Sequence, residues 1–145
     1  MNTELKRLFD EQGGVANSGQ ILNHTTRRAF DRAVNTGVLE RIWHGIYCLG
    51  EPDDILRLRG LDLSCGAEVA VCLNTAAALY GFDVEEPADL HVLSPPGSRL
   101  RSADGLVVHR RDGAPLAVAQ GRRATAPAWT AVEVACSLRR PRALA

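Results

Sequence analysis

The stretch 24–35, HTTRRAFDRAVN, holds the side chains best suited to reading another molecule. On a helical wheel at about 100° per residue, Phe30, Ala33 and Val34 fall on one side and must face a core. Arg28, Arg32 and Asn35 lie within about 60° of one another on the opposite side. Arg27 flanks the apolar stripe, and Asp31 sits between the stripe and the polar face. Arginine can bond guanine O6 and N7 together, and asparagine can bond adenine N6 and N7, so this face suits the major groove of DNA. Thr25, Thr26 and the free amides of a helix start can take a phosphate. The competing reading is a solvated helix face on which Asp31 pairs with Arg27 or Arg28.

Catalytic chemistry finds less support. Lys6 is the only lysine among seventeen basic residues, so a carboxylate-plus-lysine nuclease motif cannot form later in the chain. Asp83, Glu85, Glu86 and Asp89 cluster in a Pro-containing segment that reads as a solvated loop. His91 and His109 sit on two expected strands and could be neighbours, more as satisfied strand residues than as ligands. The sequence holds no Ser/His/Asp order, Gly-rich phosphate loop or nucleotide fingerprint. The chain is therefore expected to be no enzyme and to need no cofactor or metal. The cysteines, Cys48, Cys65, Cys72 and Cys136, stand among apolar neighbours with no CxxC pair and are expected to be buried, reduced thiols.

The rest of the chain supplies the elements that must position the arginine face. A helix over 4–12 ends at Gly13-Gly14, and Asn17-Ser18 caps a short second helix. Thr25 opens the helix 26–35, which Gly37 closes. The pattern then changes period: VLERIW and GIYCL read as a hairpin turning at His44-Gly45. Three short helices followed by a hairpin is the order of a winged helix-turn-helix. Arg41 and His44, near the hairpin tip, are expected to reach the neighbouring backbone or minor groove. Gly50-Glu51-Pro52 marks a boundary. Beyond it a helix opens at 52–54, followed by a buried strand at 69–73 and a short helix at 75–80. Strands at 89–93 and 105–109 come next, then a helix over 128–138 with Ala131, Val134, Ala135 and Leu138 on one face.

The expected architecture is α+β: a winged helix-turn-helix over 1–50, then a small mixed α/β interaction domain over 51–145. Length and composition fit, with 145 residues, 46% hydrophobic and 23% charged, and no apolar run long enough to span a membrane. The start MNTELKRLFDEQGG lacks a signal peptide's apolar stretch, so a cytoplasmic location is expected. Net charge is zero, but residues 51–98 carry two basic and nine acidic groups, while 99–145 carry nine basic and three acidic. Such surfaces of both signs favour a protein partner. Arg99, Arg101, Arg110, Arg111, Arg122 and Arg123 are its expected rim.

The segment VANSGQILNHTTRRAFDRAVNTGVLERIWHGIYCL resembles the N-terminal domain of AbiEi-family antitoxins. Gly37, Leu39, Arg41, Gly45 and Tyr47 fill that family's G-x-L-x-R…G-x-Y pattern. CLNTAAALYGF, LHVLSPPGSRLRSADGLVVHRR and RRATAPAWTAVEVACSL resemble its later blocks. The last block usually reads Thr-x-Pro-x-Arg-Thr: Thr125, Pro127 and Thr130 match it, and Trp129 replaces the arginine. The block around Asn74-Thr75 usually carries His and Ser, which are absent here. The resemblance implies the antitoxin of a type IV toxin–antitoxin operon. Its winged helix would bind inverted repeats upstream of its own operon as an autorepressor, and the remainder would counter a nucleotidyltransferase-like toxin, with a homodimer among the expected assemblies. Longer relatives continue into a Vsr-like endonuclease domain, so a truncated targeting remnant of such a protein is one alternative. A protein-interaction module that no longer touches DNA is the other.

Overall fold

The structure, a computed structural model, describes residues 2–85 and 89–138. It is a mixed α+β chain that divides into two compact units, 1–68 and 69–145. Among the described residues no helix is long and apolar enough to cross a membrane.

In the first unit, α1 (Thr3–Glu11) starts where the Asn2 side chain accepts from the Leu5 amide, and it buries Leu5 and Phe9. A three-residue strand, β1 (Val15–Asn17), follows after the turn at Gln12-Gly13-Gly14 and is too short to show a period in the sequence. α2 (Ser18–Leu22) opens on a reciprocal cap: Asn17 accepts from the Gln20 amide, and the Gln20 side chain accepts from the Asn17 amide. α3 (Arg27–Asn35) is capped by the Thr26 hydroxyl, and β2 (Leu39–Trp43) and β3 (Ile46–Leu49) form the hairpin. The sheet order is β1-β3-β2, all antiparallel.

That small sheet is covered on both faces. Leu5, Phe9, Ala16, Ile21, Phe30 and Leu39 form one core with the three helices. Val15, Ile46 and Cys48 form a second, with Leu56 and Leu63 of α4 (Asp54–Cys65) packed on it. The approach is close: a Cβ on Gly60 would stand 3.1 Å from both Ile46 and Trp43. Trp43 donates its indole N–H to the Arg57 carbonyl at 2.8 Å. The division between units thus falls after residue 68, where the sequence suggested residue 50, because α4 supplies the apolar cover that the hairpin needs.

The boundary also redistributes charge. The first unit carries eight basic and ten acidic residues, and the second nine and seven. The sharp acidic–basic split seen along the chain therefore belongs to segments, not to folded units.

In the second unit the segment 70–72 is the middle rung of a mixed sheet. Val71 donates to the Arg123 carbonyl and accepts from the Thr125 amide, both at 3.0 Å. On the other side Cys72 donates to the His91 carbonyl and Ala70 accepts from Leu93. The segment joins β7 (Arg122–Thr125) to β4 (Leu90–Leu93), so the order is β6-β7-(70–72)-β4-β5. β5 (Leu106–His109) runs parallel to β4, and β6 (Leu116–Ala119) pairs antiparallel with β7 through a turn at Gln120-Gly121.

α5 (Leu73–Tyr80) starts two residues before its expected place, and the strand expected over 69–73 shrinks to this bridging segment. α6 (Pro127–Ser137) turns Thr130 and Val134 inward and leaves Ala131 exposed, so the inward face is rotated from the one expected.

Candidate functional site

The arginine face is built from the inside outward. Phe30 is only 5% exposed and packs edge-on against Tyr47, with ring centroids 5.0 Å apart. That contact fixes the rotation of α3, and Ala33 and Val34 pack on the same side. Arg27, Arg28, Asp31, Arg32 and Asn35 are all exposed and together line one open depression. The wheel reading of which residues face out therefore agrees with the geometry.

The five are not equivalent. Arg27 pairs with Asp31 at 3.5 Å, and its guanidinium lies 5.8 Å from the Phe30 ring centroid. Arg28, Arg32 and Asn35 have no side-chain partner among the described residues, so their donors are available. Thr26 accepts the Ala29 amide at 3.1 Å, and its own hydroxyl proton stays free to donate. Thr25 is half-buried beside the core.

The hairpin adds a second contribution through its register. Arg41 stands directly opposite Tyr47, whose ring packs on Phe30, so Arg41 leaves the sheet on the α3 side. The pairing then slips by one residue between Arg41 and Trp43. This bulge turns Trp43 to the opposite face, onto α4. The tip is consequently His44-Gly45, and His44 Nδ1 lies 3.2 Å from an Arg41 terminal nitrogen.

In the second unit, His91 and His109 do meet: His91 Nδ1 and His109 Nε2 are 2.9 Å apart, and the rings stack at 5.2 Å. Burial pushes both imidazoles below their usual range; for His109 the neighbouring His91 and Arg111 push the same way against Glu133. No three His, Cys, Asp or Glu side chains gather as a metal set among the described residues. Asp83 and Glu85 are exposed, Asp89 is half-buried, and Glu86 lies outside the described residues.

The cysteines do not share one environment. Cys48 and Cys72 are buried, and burial first of all raises their thiols to about 11 and about 12. Cys65 is half-buried and Cys136 is exposed, against the expectation of four buried thiols.

A groove of about 870 Å³, lined by Leu73, Pro115, Trp129 and Val132, runs along α6. At its polar side Arg111 donates to Glu133 at 2.9 Å, and the Trp129 indole N–H donates to the other Glu133 oxygen at 2.6 Å. Sequence reading missed this trio; its signal was the i,i+4 spacing of Trp129 and Glu133. The tryptophan that stands in place of the usual arginine thus donates to a carboxylate. Of the expected arginine rim, Arg99, Arg101 and Arg110 are exposed, Arg111 is held by Glu133, and Arg122 donates to the Val69 carbonyl at 3.1 Å. Arg123 is exposed on β7.

The threonines of the later blocks are buried and hydrogen-bonded. Thr75 accepts the His91 amide at 2.8 Å, and Thr130 donates to the Thr125 carbonyl at 2.9 Å. Residues 69–145 match the AbiEi antitoxin C-terminal domain. The chain belongs to the AbiEi antitoxin family. Two proteins from two strains of Mycobacterium tuberculosis, both described as uncharacterized, are 55% identical over 120 residues. The match covers 83% of this chain and 44% of each relative, so the chain spans less than half the length of the curated relatives it matches. Family membership rests on the second unit, and the arginine face lies in the first.

Proposed function

We propose that residues 1–68 are a winged helix-turn-helix that binds duplex DNA, and that the protein is the autorepressing antitoxin of a type IV toxin–antitoxin operon. The observation that carries the DNA half is the unpartnered Arg28/Arg32/Asn35 face of α3, with Arg41 leaving the hairpin on the same side. The order α1-β1-α2-α3-β2-β3 supports it, since in a winged helix the third helix enters the major groove and the hairpin flanks it. Thr25, Thr26 and His44 are the phosphate-side contacts in this reading, and Arg27 is a backbone contact that must first leave Asp31. The unit carries more acidic than basic residues, so affinity comes from this local face and not from bulk charge.

The antitoxin half follows from the family. Residues 69–145 recognise a nucleotidyltransferase-like toxin by binding alone, and the protein performs no catalysis of its own.

The presence of Asp31 inside the arginine face favours one second reading, a protein-interaction module without DNA affinity. A mobility shift on the DNA upstream of the gene, repeated over a salt series, separates the two. Binding should weaken steeply with salt, with a slope of about 0.9 per phosphate contact. Arg28→Ala or Arg32→Ala should cost about 1–3 kcal/mol where the contact is to a base. Equal affinity of the wild type and the double variant for upstream and unrelated DNA would favour the interaction module.

A further inference from the structure

The two edges of the second unit's sheet are finished differently. At the β5 edge, Ala103 pairs back with Leu106, and the Val108 amide donates to the Ser102 hydroxyl at 2.9 Å. That edge is covered by its own chain. At the β6 edge nothing equivalent is found among the described residues.

The ladder phase shows which β6 groups are open. Ala126 donates to the Pro115 carbonyl at 2.8 Å, and successive steps of two along both strands bring Ala117 opposite Ala124 and then Ala119 opposite Arg122. These are the pairs that exchange bonds across the hairpin, because antiparallel pairing alternates. The intervening pairs are Leu116 with Thr125 and Val118 with Arg123. On β7 their outward groups are already used, since the Thr125 amide and the Arg123 carbonyl both bond Val71. On β6 the outward amides and carbonyls are those of Leu116 and Val118, and they meet no partner among the described residues.

The same two residues are 45% and 70% exposed, among the largest apolar exposures in the molecule. The strand LAVA has no charge, no internal proline and no bulge, which are the usual means of blunting an edge.

We propose that β6 is a self-pairing edge, on which the outward backbone groups of Leu116 and Val118 bond those of Val118 and Leu116 in a second copy of this chain. The occupant follows from symmetry. An antiparallel pair about a two-fold axis at Ala117 sets Leu116 opposite Val118 twice. Both open amides and both open carbonyls of each copy are then satisfied in one register, and a two-fold contact must be self-complementary in this way. The same register sets the four apolar side chains side by side and brings no like charges together within the strand. The seam is short, below the size of a standard stable interface, so the dimer forms with rising concentration and is not permanent. The inference is independent of the DNA-binding reading, because its readouts are mass and amide exchange.

Sedimentation of the full chain over a concentration series should show monomers converting to dimers. Hydrogen exchange should show the Leu116 and Val118 amides becoming protected over the same range, while those of Ala117 and Ala119 are protected throughout. Val118→Lys places a charge at an exposed edge position, so it should keep the wild-type melting temperature and weaken dimerisation by at least about tenfold, near 1.4 kcal/mol. Mass that stays monomeric at every concentration overturns the proposal. So does a dimer in which the two amides exchange freely, or one that Val118→Lys leaves intact. Protection that appears only on addition of a toxin protein would assign the edge to that partner instead.

Discussion

His91 Nδ1 and His109 Nε2 share one proton across 2.9 Å, on parallel strands whose register sets Leu93 beside His109. One ring must donate and the other accept, so the pair is intact only while at least one imidazole is neutral. Burial lowers both imidazoles, and His91 and Arg111 further lower His109; Asp89 opposes the shift at His91 and Glu133 at His109. In the unfolded chain both return towards 6.5. As pH falls through that value the unfolded state binds protons first, so stability declines. The contribution is complete above the unfolded value and is lost as pH drops towards the lower folded ones. The melting temperature of the second unit should therefore fall between roughly pH 7 and pH 5, and His109→Gln should flatten that fall. Parallel curves for the variant and the wild type would show that the pair plays no part in it.

Phe30 holds the arginine face in place through its edge-on contact with Tyr47. Phe30→Ala should destabilise the first unit by roughly 3–5 kcal/mol, the usual loss for a buried aromatic. Arg28→Ala, on the exposed side, should leave the melting temperature nearly unchanged. Thermal unfolding of the two variants checks the rotation of α3 directly, and the reverse order would mean that the helix presents a different face.

The position of α4 predicts how the chain can be cut. A fragment of residues 1–68 keeps Leu56 and Leu63 over Val15, Ile46 and Cys48, and keeps the carbonyl that Trp43 uses. It should unfold cooperatively. A fragment ending at residue 50 exposes that sheet face and should lose cooperative melting, bind a hydrophobic dye, or aggregate. Circular dichroism with thermal melts distinguishes them; equal cooperativity in both would place the unit boundary before α4.

How much of this was legible in the sequence depended on signal length. α3 carried a full apolar stripe beside a polar one, so its outward residues could be read from the wheel. β1 is three residues long and 70–72 is a single bridging rung, and neither has room for a period. β6 and β7, LAVA and RRAT, show no alternation of apolar and polar residues, because β6 is apolar on both faces and β7 places one arginine on each. The boundary was misplaced because Gly50-Glu51-Pro52 is a true chain break but not a unit break. Local turn chemistry marks where an element ends, whereas tertiary burial decides to which core the next element belongs. The Trp129–Glu133 half of the trio carried a local i,i+4 signal, but Arg111 could not be joined to it without the fold, since it is twenty-two residues from its carboxylate.

Thr125 and Thr130 tie the end of β7 to the first turn of α6, and hence to the groove beside Trp129. Both are fully buried. Thr130 spends its single hydroxyl proton on the Thr125 carbonyl at 2.9 Å, so in the 2.6 Å contact between the hydroxyls Thr125 must be the donor. Tyr80 donates to the same carbonyl at 2.9 Å. Thr130→Val keeps the shape but removes the hydroxyl, leaving the Thr125 hydroxyl buried with nothing to receive its proton. The expected cost is about 1–3 kcal/mol, the penalty of an unsatisfied buried donor. Thr130→Ser keeps the hydroxyl and removes a methyl group, for about 0.8 kcal/mol. Valine should therefore be the more damaging change although it is the closer in volume, and a double change with Thr125→Val should recover part of the loss by removing the orphaned donor. Chemical denaturation of the four proteins decides it. If serine proves worse than valine, packing and not the hydroxyl pair fixes α6, and the matched threonines of this family block lose their physical explanation.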